Sequence, residues 1–175
     1  MRSVSAAVLG SLVFLVIAPG TVAGFVPWAI SGWQMRAPFL DHAATRWLGV
    51  TLILLGLPIL LEAFARFALQ GRGTPAPVAP TERLVVQGPY RFVRNPMYVA
   101  VVTVIVGQAL VLGDVRLLAY AAVVWLSFHL FVLLYEEPTL RRRFGPEYDA
   151  FRAAVPRWIP ARRRRPWNQA RPDRE

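Results

Sequence analysis

The sequence predicts an all-α fold: a transmembrane helical bundle of about four spans, with polar chemistry held at one membrane face. Three observations predict it. Hydrophobic residues make up 55% of the 175, and they gather into long runs instead of amphipathic spacing, which is lipid-facing material. Two polar, arginine-bearing motifs, GPYRFVRNPMY from Gly88 to Tyr98 and YEEPTLRRRFGPEYDAF from Tyr135 to Phe151, clasp an apolar stretch long enough to cross a membrane twice. The basic residues lie beside apolar spans, as contact with anionic head groups requires.

The first apolar run extends from about Val4 to Ile30 and is interrupted by Pro19-Gly20, Gly24 and Pro27. Arg2 before an apolar core is a feature of signal peptides, but no short small-residue cleavage site ends the run. It continues to Trp28, a suitable interfacial anchor, so a retained span is expected. Ser31 to Thr45, with Trp33, Arg36, Asp41 and His42, reads as a head-group-level loop. A second span opens at Arg46-Trp47 and ends near Leu69. Glu62 and Arg66 within it share one helical face and can pair, or can snorkel toward water.

Gln70 to Gln87 is Pro- and Gly-rich and cannot be one helix. Val99 to Leu112 and Leu117 to Leu134 then form a hairpin through a tight Gly113-Asp114 turn, which brings both motifs to its mouth. Beyond Trp158 the Arg- and Pro-rich tail has little to bury, which predicts disorder or lipid association. The expected division is residues 1–70 as two N-terminal spans, 71–160 as the core with the hairpin, and 161–175 as a basic tail.

Lysine is absent, so arginine alone carries the net charge of +10. No recognition motif accompanies that charge, which argues against nucleic acid. Cysteine is also absent, excluding disulfides, thiolate metal sites and a cysteine nucleophile. Most arginines fall in the connector and the tail, so the positive-inside rule puts both motifs and both termini in the cytoplasm. An integral protein of a bacterial inner membrane is the expected setting.

Neither motif contains GxSxG, HExxH or a Ser/His/Asp set, and His42 and His129 are too few and too scattered for a metal. The motifs offer instead a backbone break at Asn95-Pro96, rings at Tyr90, Phe92 and Tyr98, the carboxylates Glu136 and Glu137, and several arginines. Such a set can bind a compact polar cofactor with an aromatic base, a ribose and a charged amino-acid tail.

RNPMY, followed by a hydrophobic hairpin and EEPTLRRRFGPEYDAFRAAVPRWIP, resembles the isoprenylcysteine carboxyl methyltransferase and phospholipid methyltransferase superfamily of integral membrane enzymes. The resemblance covers Leu84 to Pro160. It implies a cytoplasmic S-adenosylmethionine pocket formed by the carboxyl-terminal half, and a lipophilic or lipid-linked substrate that enters from the bilayer. Carried over by position, it makes Arg94, Asn95, Pro96, Tyr98, Glu136, Glu137 and Tyr148 cofactor-binding residues, with Phe144, Gly145 and Arg157 continuing the pocket. It names no catalytic residue. Asn95 stands where these enzymes typically carry histidine, which removes an ionisable imidazole, and Ala100 stands where many have glycine.

Methyl transfer from a sulfonium is an in-line displacement for which alignment and desolvation do most of the work. A carboxylate acceptor needs no base, whereas an ammonium must first lose a proton. The motifs show no obvious base, which fits a carboxylate, thiol or neutral amine somewhat better. Bland readings stand beside these: the tyrosines as interfacial belt residues, and Glu136-Glu137 as charge balance for Arg141 to Arg143. A related NADPH-dependent reductase and a non-catalytic accessory protein are the alternative functions.

Overall fold

The structure, a computed structural model, describes residues 4–70 and 83–160. The described residues are helical with no strand, as lipid demands of a backbone that must satisfy its own hydrogen bonds. The expected basic tail 161–175 and most of the Pro-rich connector lie outside the described residues.

Helix α1 (Val4–Gly20) continues through a π-helical turn (Thr21–Phe25) into α2 (Val26–Ser31). The expected interruptions at Pro19-Gly20, Gly24 and Pro27 are therefore not breaks. In the wider turn the Val26 N–H reaches back five residues to the Thr21 carbonyl, absorbing the register change ahead of Pro27. Helix α3 is Ala44–Gln70, and α4 is Pro96–Leu112, capped by the Gly113-Asp114 turn. Helix α5 (Val115–Phe131) passes through a second π turn (Val132–Glu136) into α6 (Glu137–Phe144), and α7 is Pro146–Ala154. The last apolar helix thus runs well past the expected end at Leu134.

Leu9–Ser31, Ala44–Leu69 and Val115–Phe144 are long and apolar enough to cross a membrane, while Pro96–Leu112 is a shorter apolar helix. At about 1.5 Å per residue, α4 is about 25 Å long, slightly under the hydrocarbon thickness. Its first residues are buried, as suits a helix that opens inside the protein.

The closest helix pair is α3 and α4. A Cβ on Gly107 would lie 2.8 Å from the Gly49 carbonyl oxygen, so the two backbones touch where both side chains are hydrogen. Helix α1 lies antiparallel against α3, with Phe14 stacked on Phe64. At the end opposite the motifs, buried Asp114 (1% exposed) caps α5 and meets Arg116 at 2.6 Å and Arg36 at 3.3 Å. That cluster ties the loop after α2 to the hairpin turn.

Candidate functional site

Asn95-Pro96 follows the 3₁₀ turn Gly88–Arg91 and opens α4, since proline is favoured where a helix starts and its missing N–H is harmless. This sets Arg94 and Tyr98 on the two sides of the α4 start. The second π turn performs the matching task on the last helix. Its extra residue re-phases the chain, so the adjacent carboxylates Glu136 and Glu137 serve different surroundings.

Glu137 is the centre of a polar clasp. Arg94 Nη1 donates to its Oε1 at 3.0 Å, while Arg157 donates Nε to Oε1 at 2.6 Å and Nη2 to Oε2 at 3.0 Å. Arg94 Nη1 also reaches the Tyr148 hydroxyl at 3.2 Å. Backbone and amide contacts finish the closure: Arg94 N–H donates to the Pro156 carbonyl at 2.9 Å, and Asn95 Nδ2 to the Arg157 carbonyl at 3.3 Å. Burial, then the Glu137 charge, raises the Tyr148 hydroxyl pKa, so this group stays a neutral hydrogen-bonding partner. Hydrogen bonding to Glu137 raises that of the Arg157 guanidinium.

Charge balance between Glu136-Glu137 and Arg141 to Arg143 is overturned by this arrangement. Glu137 is neutralised by Arg94 and Arg157, and Arg141 pairs with Asp149 at 3.2 Å instead. The π turn and the reversal between α6 and α7 direct these side chains apart.

Glu136 stands outside the clasp. Its Oε2 accepts from the Tyr98 hydroxyl at 2.8 Å, and among the described residues no arginine pairs with it. The Tyr98 ring lies 4.6 Å from Phe128, centroid to centroid, and both line an apolar chamber of about 420 Å³ between α1, α3, α4 and α5. Phe14, Phe64, Met97 and Phe131 contribute other walls. Tyr98 therefore joins an unneutralised carboxylate to a lipid-compatible cavity.

The seven residues predicted from sequence thus divide in two. Arg94, Asn95, Glu137 and Tyr148 meet in the clasp, whereas Tyr98 and Glu136 meet at the chamber, and buried Pro96 supports the start of α4. Sequence reasoning missed the chamber, whose walls carry no motif. His129, which belongs to no metal site in the sequence reading, packs near the end of α5: its Nδ1 accepts from Trp158 Nε1 at 3.2 Å while its ring stacks on Trp125.

A family model described as Phospholipid methyltransferase matches residues 44–147, more than half of the chain, including Arg94, Asn95, Tyr98, Glu136 and Glu137. The chain belongs to the phospholipid methyltransferase family. That family lies within the isoprenylcysteine carboxyl methyltransferase-like membrane superfamily, so the protein is an integral membrane methyltransferase. No curated protein and no solved structure matches it. The family match ends at Glu147, just before Tyr148, so the Arg157 half of the clasp lies beyond it.

Proposed function

We propose that this protein transfers a methyl group from S-adenosylmethionine to the amine of a membrane lipid headgroup at the cytoplasmic face. The observation that carries the reading is the separation of two adjacent carboxylates: Glu137 fully neutralised, Glu136 held by Tyr98 beside an apolar chamber without a counter-cation.

A carboxylate acceptor brought to Glu136 would meet a like charge. An ammonium headgroup meets an opposite one, and its proton has a nearby acceptor. The absence of an evident base in the motifs no longer favours a carboxylate, because Glu136 can take that role. The chamber offers phenyl and aliphatic walls to an acyl chain, and Tyr98 fixes the carboxylate at its edge.

The donor set also fits S-adenosylmethionine. Arg94 Nε is buried and without a partner among the described residues, as suits a site completed by a ligand carboxylate. When bound, this cofactor supplies an electrophilic methyl group on a sulfonium. The chain's own groups hold the acceptor nitrogen in line, exclude water through the chamber walls, and receive the proton released from the amine at Glu136.

Thermal unfolding of the detergent-purified protein with S-adenosylmethionine, S-adenosylhomocysteine and NADPH, each alone, tests the cofactor. Saturable stabilisation by the first two only is expected. Stabilisation by NADPH alone would assign a reductase, and no response to any of the three would indicate an accessory protein.

A further inference from the structure

Glu62 and Arg66, the ionisable pair that the sequence marks within a span, belong to neither the clasp nor the chamber. Their side chains meet at 3.1 Å and line a separate cavity of about 370 Å³ between the end of α3 and the Gly88–Arg91 turn. Pro89, Arg91 and Phe92 complete its main walls, and it shares no lining residue with the apolar chamber.

The turn is fitted to the ion pair. Gly88 has φ +60°, which favours glycine, and a Cβ there would lie 2.9 Å from both Arg66 Nε and Glu62 Oε1, so a larger residue would push the ion pair aside. Arg91 lies over the Phe92 ring at 5.9 Å and pairs with no carboxylate among the described residues. Two guanidiniums and one carboxylate leave a single excess positive charge in the cavity. Leu69 and Phe92 are both about 60% exposed at this end of the bundle, which sets the cavity at the level where apolar side chains meet lipid head groups.

A single positive excess matches the single negative charge of a phosphodiester, and guanidinium forks match its oxygens. We infer that this cavity binds the phosphodiester of a membrane phospholipid through Arg66 and Arg91, with Glu62 holding Arg66 in place. The site does not depend on the methyl-transfer reading, since it requires neither cofactor nor amine.

Thermal unfolding of the full chain in detergent, titrated with dioleoyl phosphatidylglycerol, tests it. That lipid has the phosphodiester but no amine to methylate. Saturable stabilisation is expected, with none from dioleoylglycerol. Arg91→Gln and Arg66→Gln are each expected to raise the half-saturating lipid concentration about tenfold, as loss of a charged hydrogen bond does. Arg142→Gln, a change at an exposed arginine of α6 that lines neither cavity, is expected to leave it unchanged. Arg91→Gln disturbs no ion pair among the described residues and keeps the test valid if Arg66→Gln folds poorly. An Arg91→Gln midpoint equal to wild type would overturn the site. Equal stabilisation by glycerophosphoglycerol or inorganic phosphate would overturn the lipid as its ligand.

Discussion

Arg157 grips Glu137 at two points, Nε on Oε1 at 2.6 Å and Nη2 on Oε2 at 3.0 Å, and so fastens the segment after α7 to the end of the last membrane helix. Bidentate pairing, with a second arginine on the same carboxylate, makes Glu137 the centre of this closure.

Removing that carboxylate leaves two guanidiniums facing each other in a largely buried place. Glu137→Gln is expected to destabilise the protein by about 2–4 kcal/mol, near the lower end for breaking a buried pair because Arg157 is partly exposed. Thermal unfolding in detergent checks this, and an unchanged midpoint would show that the clasp does not hold the segment.

Tyr98→Phe keeps the ring beside Phe128 but releases Glu136. The fold and the unfolding midpoint should persist, whereas the turnover number for methyl transfer should fall roughly tenfold to a hundredfold, less than the ~10²–10⁴ for losing a proton acceptor outright, since Glu136 itself remains. Steady-state rates with labelled cofactor measure it. A fall in stability with normal turnover would make Tyr98 a packing residue.

At the opposite end, hydrogen bonding to Arg116 holds the Asp114 carboxyl below the ordinary range, outweighing the effect of burial. A lowered folded-state pKa means that the stabilisation is complete above the unfolded value near 3.9 and disappears as pH falls through the folded one. Unfolding midpoints should therefore decline below about pH 4. Asp114→Asn should lower the midpoint at pH 7 and flatten that decline. A wild-type decline preserved in Asp114→Asn would assign it to other carboxyl groups.

The cysteine-free chain permits a direct topology test. With the motifs inside, a cysteine at Leu40, 84% exposed in the loop after α2, should react with an impermeant maleimide on intact cells. One at Arg142 should react only after permeabilisation. The opposite pattern would invert the protein in the membrane.

Gly107→Ala should cost about 1–3 kcal/mol by forcing α3 and α4 apart at Gly49, the usual penalty for overpacking. Gly24→Ala, where an added Cβ meets nothing within 4 Å, serves as the control. Equal stability of the two variants in thermal unfolding would exclude close backbone contact.

Much of this was legible in the sequence, for physical reasons. Long apolar runs and the Gly113-Asp114 turn fixed the helical bundle and its hairpin, because lipid permits few alternatives. The π turns are not legible, since a proline inside an apolar run reads as a break. Each turn in fact ends two residues before a proline, Phe25 before Pro27 and Glu136 before Pro138, so the helix absorbs the missing donor and continues. The roles of Glu136 and Glu137 were indistinguishable as neighbours in sequence. Their partners, Tyr98 and Arg157, lie 38 and 20 residues away, and no local spacing links either carboxylate to its partner. The chamber was hidden because its lining phenylalanines look like any lipid-facing residue.

The most direct test of the central claim is transfer of labelled methyl from S-adenosylmethionine to defined acceptors by the purified protein, wild type and Glu136→Gln. The account predicts product with phosphatidylethanolamine, little with an isoprenylcysteine carboxylate, and a strong loss of turnover in Glu136→Gln. Methylation of the isoprenylcysteine in preference to the lipid amine, at a rate indifferent to Glu136, would contradict it.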